Sequence, residues 1–202
     1  MGSRIMHLII SNEVANQLPI ANRQAFLLGG IAPDAVLTKE TSHFYVGHHH
    51  DYTRSIAYDT FYEKYRDRKE VDYILGYYTH LITDDMWVQG FSLPWLKNRL
   101  KNDETLFNRY HHDFRLLNGR LLSYYGLSTD VFQGVDIVDA VPDLDEITAI
   151  DVEKLLTSVK VDMHDNEQDG DEKLSVFTFE QIIGYIETSI EKSLFLIKKK
   201  MK

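Results

Sequence analysis

Residues 71–90, VDYILGYYTHLITDDMWVQG, constrain the fold more than any other stretch of this chain. Val71, Ile74, Leu75, Tyr78, Leu81 and Ile82 recur at helical spacing and cover a wide face, so the segment is expected to be a central, largely buried helix. A helix of that kind needs neighbours on most sides. Within it stand His80, Asp84 and Asp85. An imidazole and a carboxylate four residues apart lie on one helix face, one turn from each other. Polar groups on a buried helix must find partners. Two readings satisfy that need. One is a core histidine paired with or capped by an aspartate. The other is a pair of metal ligands, since zinc takes imidazole nitrogen and carboxylate oxygen at about 2.0–2.2 Å.

The rest of the chain reads mainly as further helices. MHLIISNEVANQL places Met6, Ile9, Ile10, Val14 and Leu18 on one stripe. NRQAFLLGG reads as a short helix ended by Gly29 and Gly30. The stretch IAPDAVLTKETSHFYVGHHH reads as a loop, with Pro33 holding Ala32 extended. A helix is expected from about residue 52 to 66. Another covers DETLFNRYHHDFRLLNGRLLSYY and stops at Gly126, and a long amphipathic helix with a basic end closes the chain. STDVFQGVDIVDAVPDLDEITAI is mixed, and the polar residues near 164–173 read as a flexible surface loop. The 202 residues, 44% of them hydrophobic, suffice for a single mainly α domain spanning 1–202, a helical bundle.

Charge and composition exclude several functions. A net charge of −9 argues against non-specific binding to nucleic acid, double-stranded DNA in particular, because neutralising phosphates needs a basic surface. The absence of cysteine removes disulfides, thiolate metal sites and cysteine nucleophiles at once. No segment approaches the ~18 consecutive apolar residues of a membrane span. The N-terminal apolar run is short and lacks a small-residue cleavage site, so the chain is expected to be cytoplasmic.

Nine histidines are spread unevenly, among them His7 in an apolar stripe, His43, the run His48–His50, and His111 and His112 ahead of Asp113. Alone, His7 reads as a core histidine, Asp34 as a turn cap and the triple histidine as a solvated loop. Taken together, FLLGGIAPDAV, then SHF, then ILGYYTHLITDDMW resemble the zinc-dependent phospholipase C family over about residues 5–90. That family is all-α and shares its metal centre with zinc-dependent nucleases that prefer single strands.

The resemblance implies that His7, Asp34, His43, His80 and Asp84 are metal ligands. His48 competes with His43 for the position after the turn. In secreted members three zinc ions are bound, one of them partly by the free N-terminus of the mature chain. Here six residues precede His7, and the later ligands of the family pattern lack recognisable counterparts, although His111, His112 and Asp113 offer substitutes. The count is therefore one or two zinc ions rather than three.

The function so implied is a metal-dependent hydrolase acting on a phosphoester, lipid or small molecule, through metal-activated water, with Asp34 orienting or deprotonating that water. Tyr77 and Trp87, each about one turn from the His80–Asp84 pair, are expected to line its pocket. Two alternatives compete: a phosphohydrolase of the HD type using the adjacent His50 and Asp51, and a non-enzymatic helical protein with a structural or degenerate zinc site.

Overall fold

The computed structural model describes residues 3–164 and 172–201. Its elements are the helices α1 (Arg4–Ala15), α2 (Arg23–Ile31) and α3 (Lys39–Ser42), the strands β1 (Tyr45–Val46) and β2 (Ser55–Ile56), and the helices α4 (Tyr58–Tyr65), α5 (Val71–Trp87), α6 (Lys97–Asn102), α7 (Leu106–Tyr125), α8 (Ile137–Ala140), α9 (Ala149–His164) and α10 (Phe179–Lys200). The architecture is mainly α, and no helix among the described residues is long and apolar enough to cross a membrane.

The centre of the bundle is α5. Every residue from Tyr73 to Asp85 is buried, as a helix apolar on most sides requires. It packs on α2, α10, α4 and α1. Its closest neighbour is α2, and glycines set that distance. A Cβ on Gly76 would run into the backbone carbonyl of Phe26, and one on Gly29 into that of Tyr73. Gly30 does the same for α1, where a Cβ would collide with the Ser11 hydroxyl. The glycine pair therefore does not end α2, which continues to Ile31. The cost of two helical glycines is offset by contact of backbone with backbone.

Beyond α2 the chain stays helical where an extended segment is expected. Ala32 is in the right-handed helical region (φ −54°, ψ −41°), and Pro33 opens a 3₁₀ turn over Ala32–Ala35, a position where its missing N–H costs nothing. The helix expected from residue 52 begins at Tyr58. Before it, β1 and β2 pair antiparallel with Tyr45 opposite Ile56 and Val46 opposite Ser55. Phe44, at φ +52°, turns the chain out of α3 into that hairpin.

Several ends are closed by local chemistry. The Ser3 hydroxyl accepts from the Met6 amide at the start of α1, and Asn22 caps α2 through the Ala25 amide. A capping box of Thr178 and Gln181 opens α10, and Lys198–Lys200 sit at its negative pole. Gly126, at φ +63°, ends α7 as expected. After α5 the helix widens into a π-helical segment, Val88–Leu96, carrying Pro94. The helix α9 lies where a mixed segment runs into the polar residues, and most of the expected 164–173 loop lies outside the described residues.

If backbone packing at the glycines holds the bundle, Gly76→Ala should lower unfolding free energy by about 3 kcal/mol or more, as severe overpacking does. Gly184→Ala, in α10 with open space around its Cβ, should raise it by about 0.5–1 kcal/mol. Urea denaturation of both variants measures the contrast.

Candidate metal centre

The glycine crossing brings α1, α5 and the turn after α2 to one point. His7 of α1, His80 and Asp84 of α5, and His43 at the end of α3 are buried there. Asp34, from the 3₁₀ turn, is partly buried beside them. His7, Asp34 and His80 form one group whose donor atoms lie within 4.8 Å of one another, and His43, His80 and Asp84 form a second. His7 Nε2 is 3.1 Å from Asp84 Oδ1 and His43 Nε2 is 3.3 Å from Asp84 Oδ2. His80 Nε2 is 3.3 Å from His43 Nε2 and 3.8 Å from Asp84 Oδ2, and His43 Nε2 is 3.6 Å from Asp34 Oδ1. Donors placed ~2.05 Å from one tetrahedral ion are ~3.3 Å apart, and these distances bracket that edge.

Hydrogen bonds set the tautomer of each neutral ring. His80 Nδ1 lies 2.9 Å from the Gly30 carbonyl, which can only accept, so Nδ1 carries the proton. The Thr83 hydroxyl donates to the His80 carbonyl at 2.8 Å, so His7 Nδ1, 3.0 Å away, must donate to it. The Ser42 hydroxyl donates to the Pro33 carbonyl at 3.0 Å, so His43 Nδ1, at 2.9 Å, must donate in turn. Three Nε2 lone pairs therefore point inward beside two carboxylates. A buried cluster made of acceptors needs a cation, and an imidazole whose other nitrogen is held by an outer partner is the usual form of a histidine ligand.

The electrostatics agree. Burial, reinforced by the stacked ring of His7 at 3.8 Å, holds His80 well below the usual imidazole range, so it stays neutral. Burial also opposes a charge on His43, but its hydrogen bonds to Asp34 and Asp84 prevail and raise its pKa. In Asp34 and Asp84 burial opposes ionisation; His43, His80, Lys39 and His7 overcome it at Asp34, and surrounding positive charge together with His7 and His43 does so at Asp84, holding both carboxyls well below the ordinary value.

A cavity of about 720 Å³ opens beside Asp34. Tyr45, Trp87, Phe107 and Phe114 contribute its rings, and Arg4, Lys39, Arg115, His49 and His111 its basic groups. Trp87 lines it as expected. Tyr77 does not: it is buried, stacks on Phe61 and donates to the Ser42 carbonyl at 2.6 Å, bracing the serine that orients His43.

The other candidates lie elsewhere. His48 is exposed on the hairpin tip against the ring of His50. His50 and Asp51 are exposed, 3.9 Å apart, and enter neither donor group. His112 pairs with Glu172 at 2.7 Å. Asp113 accepts the amides of Ser175, Val176 and Phe177, which ties α7 to the approach of α10 and uses its oxygens structurally. The supporting groups Thr83, Ser42 and the Gly30 carbonyl carry no sequence signal beyond adjacency to a histidine or its helix.

Residues 6–87 match the family model described as zinc dependent phospholipase C. No curated protein and no solved structure matches the chain. The match covers the part of the chain that carries the resemblance and the five converging donors. Together they support a metal-dependent hydrolase in general, with a centre whose histidines and aspartates are compatible with zinc.

Thr83→Val keeps the shape of the side chain and removes the acceptor that fixes His7. It should weaken zinc binding about 10–100-fold, the usual cost of losing an outer-shell partner, while leaving the circular dichroism spectrum unchanged. A competition titration with a chromogenic chelator reads the difference.

Proposed function

We propose that the chain is a zinc-dependent phosphoester hydrolase whose ion is held by ligands drawn from His7, Asp34, His43, His80 and Asp84, with a position left for water. The observation that carries this reading is the set of three imidazoles locked with Nε2 inward beside two carboxylates at the edge of an accessible cavity. Both donor groups draw on His80. Its Nδ1 is engaged by Gly30, so both need the same Nε2, and the reading is one ion at the shared centre.

A zinc ion there would polarise a phosphoryl oxygen and lower the pKa of a bound water toward about 7. The chain's own groups do the rest. His7, His80 and Asp84 form the buried side and exclude solvent from it. Asp34 is the candidate donor that lines the cavity. Held ionised by its neighbours, it accepts a hydrogen bond from the attacking water and orients it; it is poorly suited to storing a proton. Trp87 and Phe114 wall the space for the rest of the substrate, a small-molecule or lipid phosphoester.

One observation favours a second reading, a closed structural zinc. Four of the five donors are buried, as in sites that keep no open position. Asp34 at the cavity is the feature that opposes it.

The test is metal content followed by turnover. Wild-type protein should bind zinc, and His80→Ala should fall to the level of a metal-free control while remaining folded. Bis(4-nitrophenyl) phosphate or 4-nitrophenyl phosphate should be hydrolysed, with activity lost to a chelator and restored by zinc. Because the His43 pKa is raised, protons compete with the ion as pH falls through that range. Apparent zinc affinity should therefore drop from about pH 8 to about pH 5.5 by at least one proton per ion. A loaded protein inert on both esters would favour the structural reading.

A further inference from the structure

Lys39 reaches the centre from outside. Its Nζ lies 2.5 Å from Asp34 Oδ1, the same oxygen that is 3.6 Å from His43 Nε2. It begins α3, a single turn, and about a third of its side chain is exposed to the cavity that it lines. A divalent cation among the five donors would meet this ammonium across one carboxylate. Like charges at such a separation repel, and the four-carbon stem of lysine gives the ammonium freedom to move. The accessible direction is the cavity.

The cavity's charge runs against that of the chain. The protein carries a net −9, yet Arg4, Lys39 and Arg115 all line this space, with His49 and His111 beside them. Of the two acids in the lining, Asp162 is paired with Arg4 at 2.8 Å and Asp34 belongs to the donor cluster. The remaining wall combines Ser3, Ser92 and Asn118 with apolar and aromatic residues such as Leu96, Leu100 and Phe107. With Arg4 balanced by Asp162, a cationic headgroup entering here would still meet Arg115 and, once an ion occupies the donor cluster, the released ammonium of Lys39. An anion would be attracted, and an aromatic or apolar leaving group would find a matching wall.

We propose that Lys39 is the specificity-determining residue of this cavity: displaced from Asp34 by the bound ion, it holds a second negative charge on the substrate. The preferred substrates are phosphomonoester dianions, or diesters with an additional acidic group, over zwitterionic esters such as phosphocholine. The proposal rests on the zinc-hydrolase reading above.

The experiment uses full-length protein, first analysed for zinc, as wild type, Lys39→Met and Lys39→Arg. Inorganic phosphate binding is measured by calorimetry. Steady-state kinetics then compare 4-nitrophenyl phosphate, a dianion, with 4-nitrophenyl phosphorylcholine, a zwitterion. Lys39→Met should keep its zinc and lose about tenfold in phosphate affinity, the size of one charge-assisted hydrogen bond. Its KM for the dianion should rise by the same factor, with kcat changed less than about threefold and KM for the zwitterion unchanged or lower. Lys39→Arg should recover most of the loss.

Unchanged phosphate affinity in Lys39→Met overturns the proposal, as do equal losses on both esters. Loss of zinc in Lys39→Met overturns it too, since Lys39 would then be a support of Asp34. A folded wild type that takes up no zinc refutes the zinc-hydrolase reading itself, and is recognised before phosphate is added. If zinc binds without turnover, the phosphate titration still decides the role of Lys39.

Discussion

Backbone pressed against backbone, where α2 crosses α5, is the contact on which the rest of this molecule depends. Gly29 and Gly76 admit it, and any side chain there would push the helices apart. The same approach puts the Gly30 carbonyl within 2.9 Å of His80 Nδ1 and so orients the ring. It also places the turn that follows α2, with Asp34, next to α5. Tertiary packing and the geometry of the centre are thus set by one crossing, and a shift of an ångström in it would change both.

Around that crossing, two hydroxyls act as relays. The Thr83 hydroxyl donates a hydrogen bond to the His80 carbonyl and accepts one from His7, and Ser42 does the same between the Pro33 carbonyl and His43. Each ring is held by a group with no remaining freedom to reverse the bond. A donor cluster prepared in this way would lose little orientational freedom on taking up an ion, because the donors already face inward.

The helices were legible where the apolar period is long and uninterrupted, as in α1, α5, α7 and α10. The convergence of His7, Asp34, His43, His80 and Asp84 could be expected from the resemblance, but not from spacing alone beyond the His80–Asp84 turn. What escaped the sequence has physical causes. A Gly-Gly pair is a local stop signal, and only the neighbouring helix makes it a contact surface. Strands of two residues, such as Tyr45–Val46, are too short for an alternation to show. In α9 the residues Val152, Leu155, Leu156, Val159 and Met163 do keep helical spacing, but the β-branched, turn-rich lead-in obscures where it begins. The pairings of Thr83 with His7 and of Lys39 with Asp34 depend on how distinct elements meet, or on how a one-turn helix is aimed, and neither is encoded in a pattern.

The latch at Asp113 has a different kind of consequence. By gathering the amides of Ser175, Val176 and Phe177 it makes α7 and the entry to α10 one unit, and α7 supplies the cavity with Phe107, Tyr110, His111, Phe114, Arg115 and Asn118. All of these lie beyond the 6–87 stretch that carries the five donors. The donor cluster thus lies in one part of the chain, while the α7 side of the cavity wall, unlike Lys39 and Trp87, comes from another. Substitutions on the α7 side can therefore reshape the cavity without touching any of the five donors.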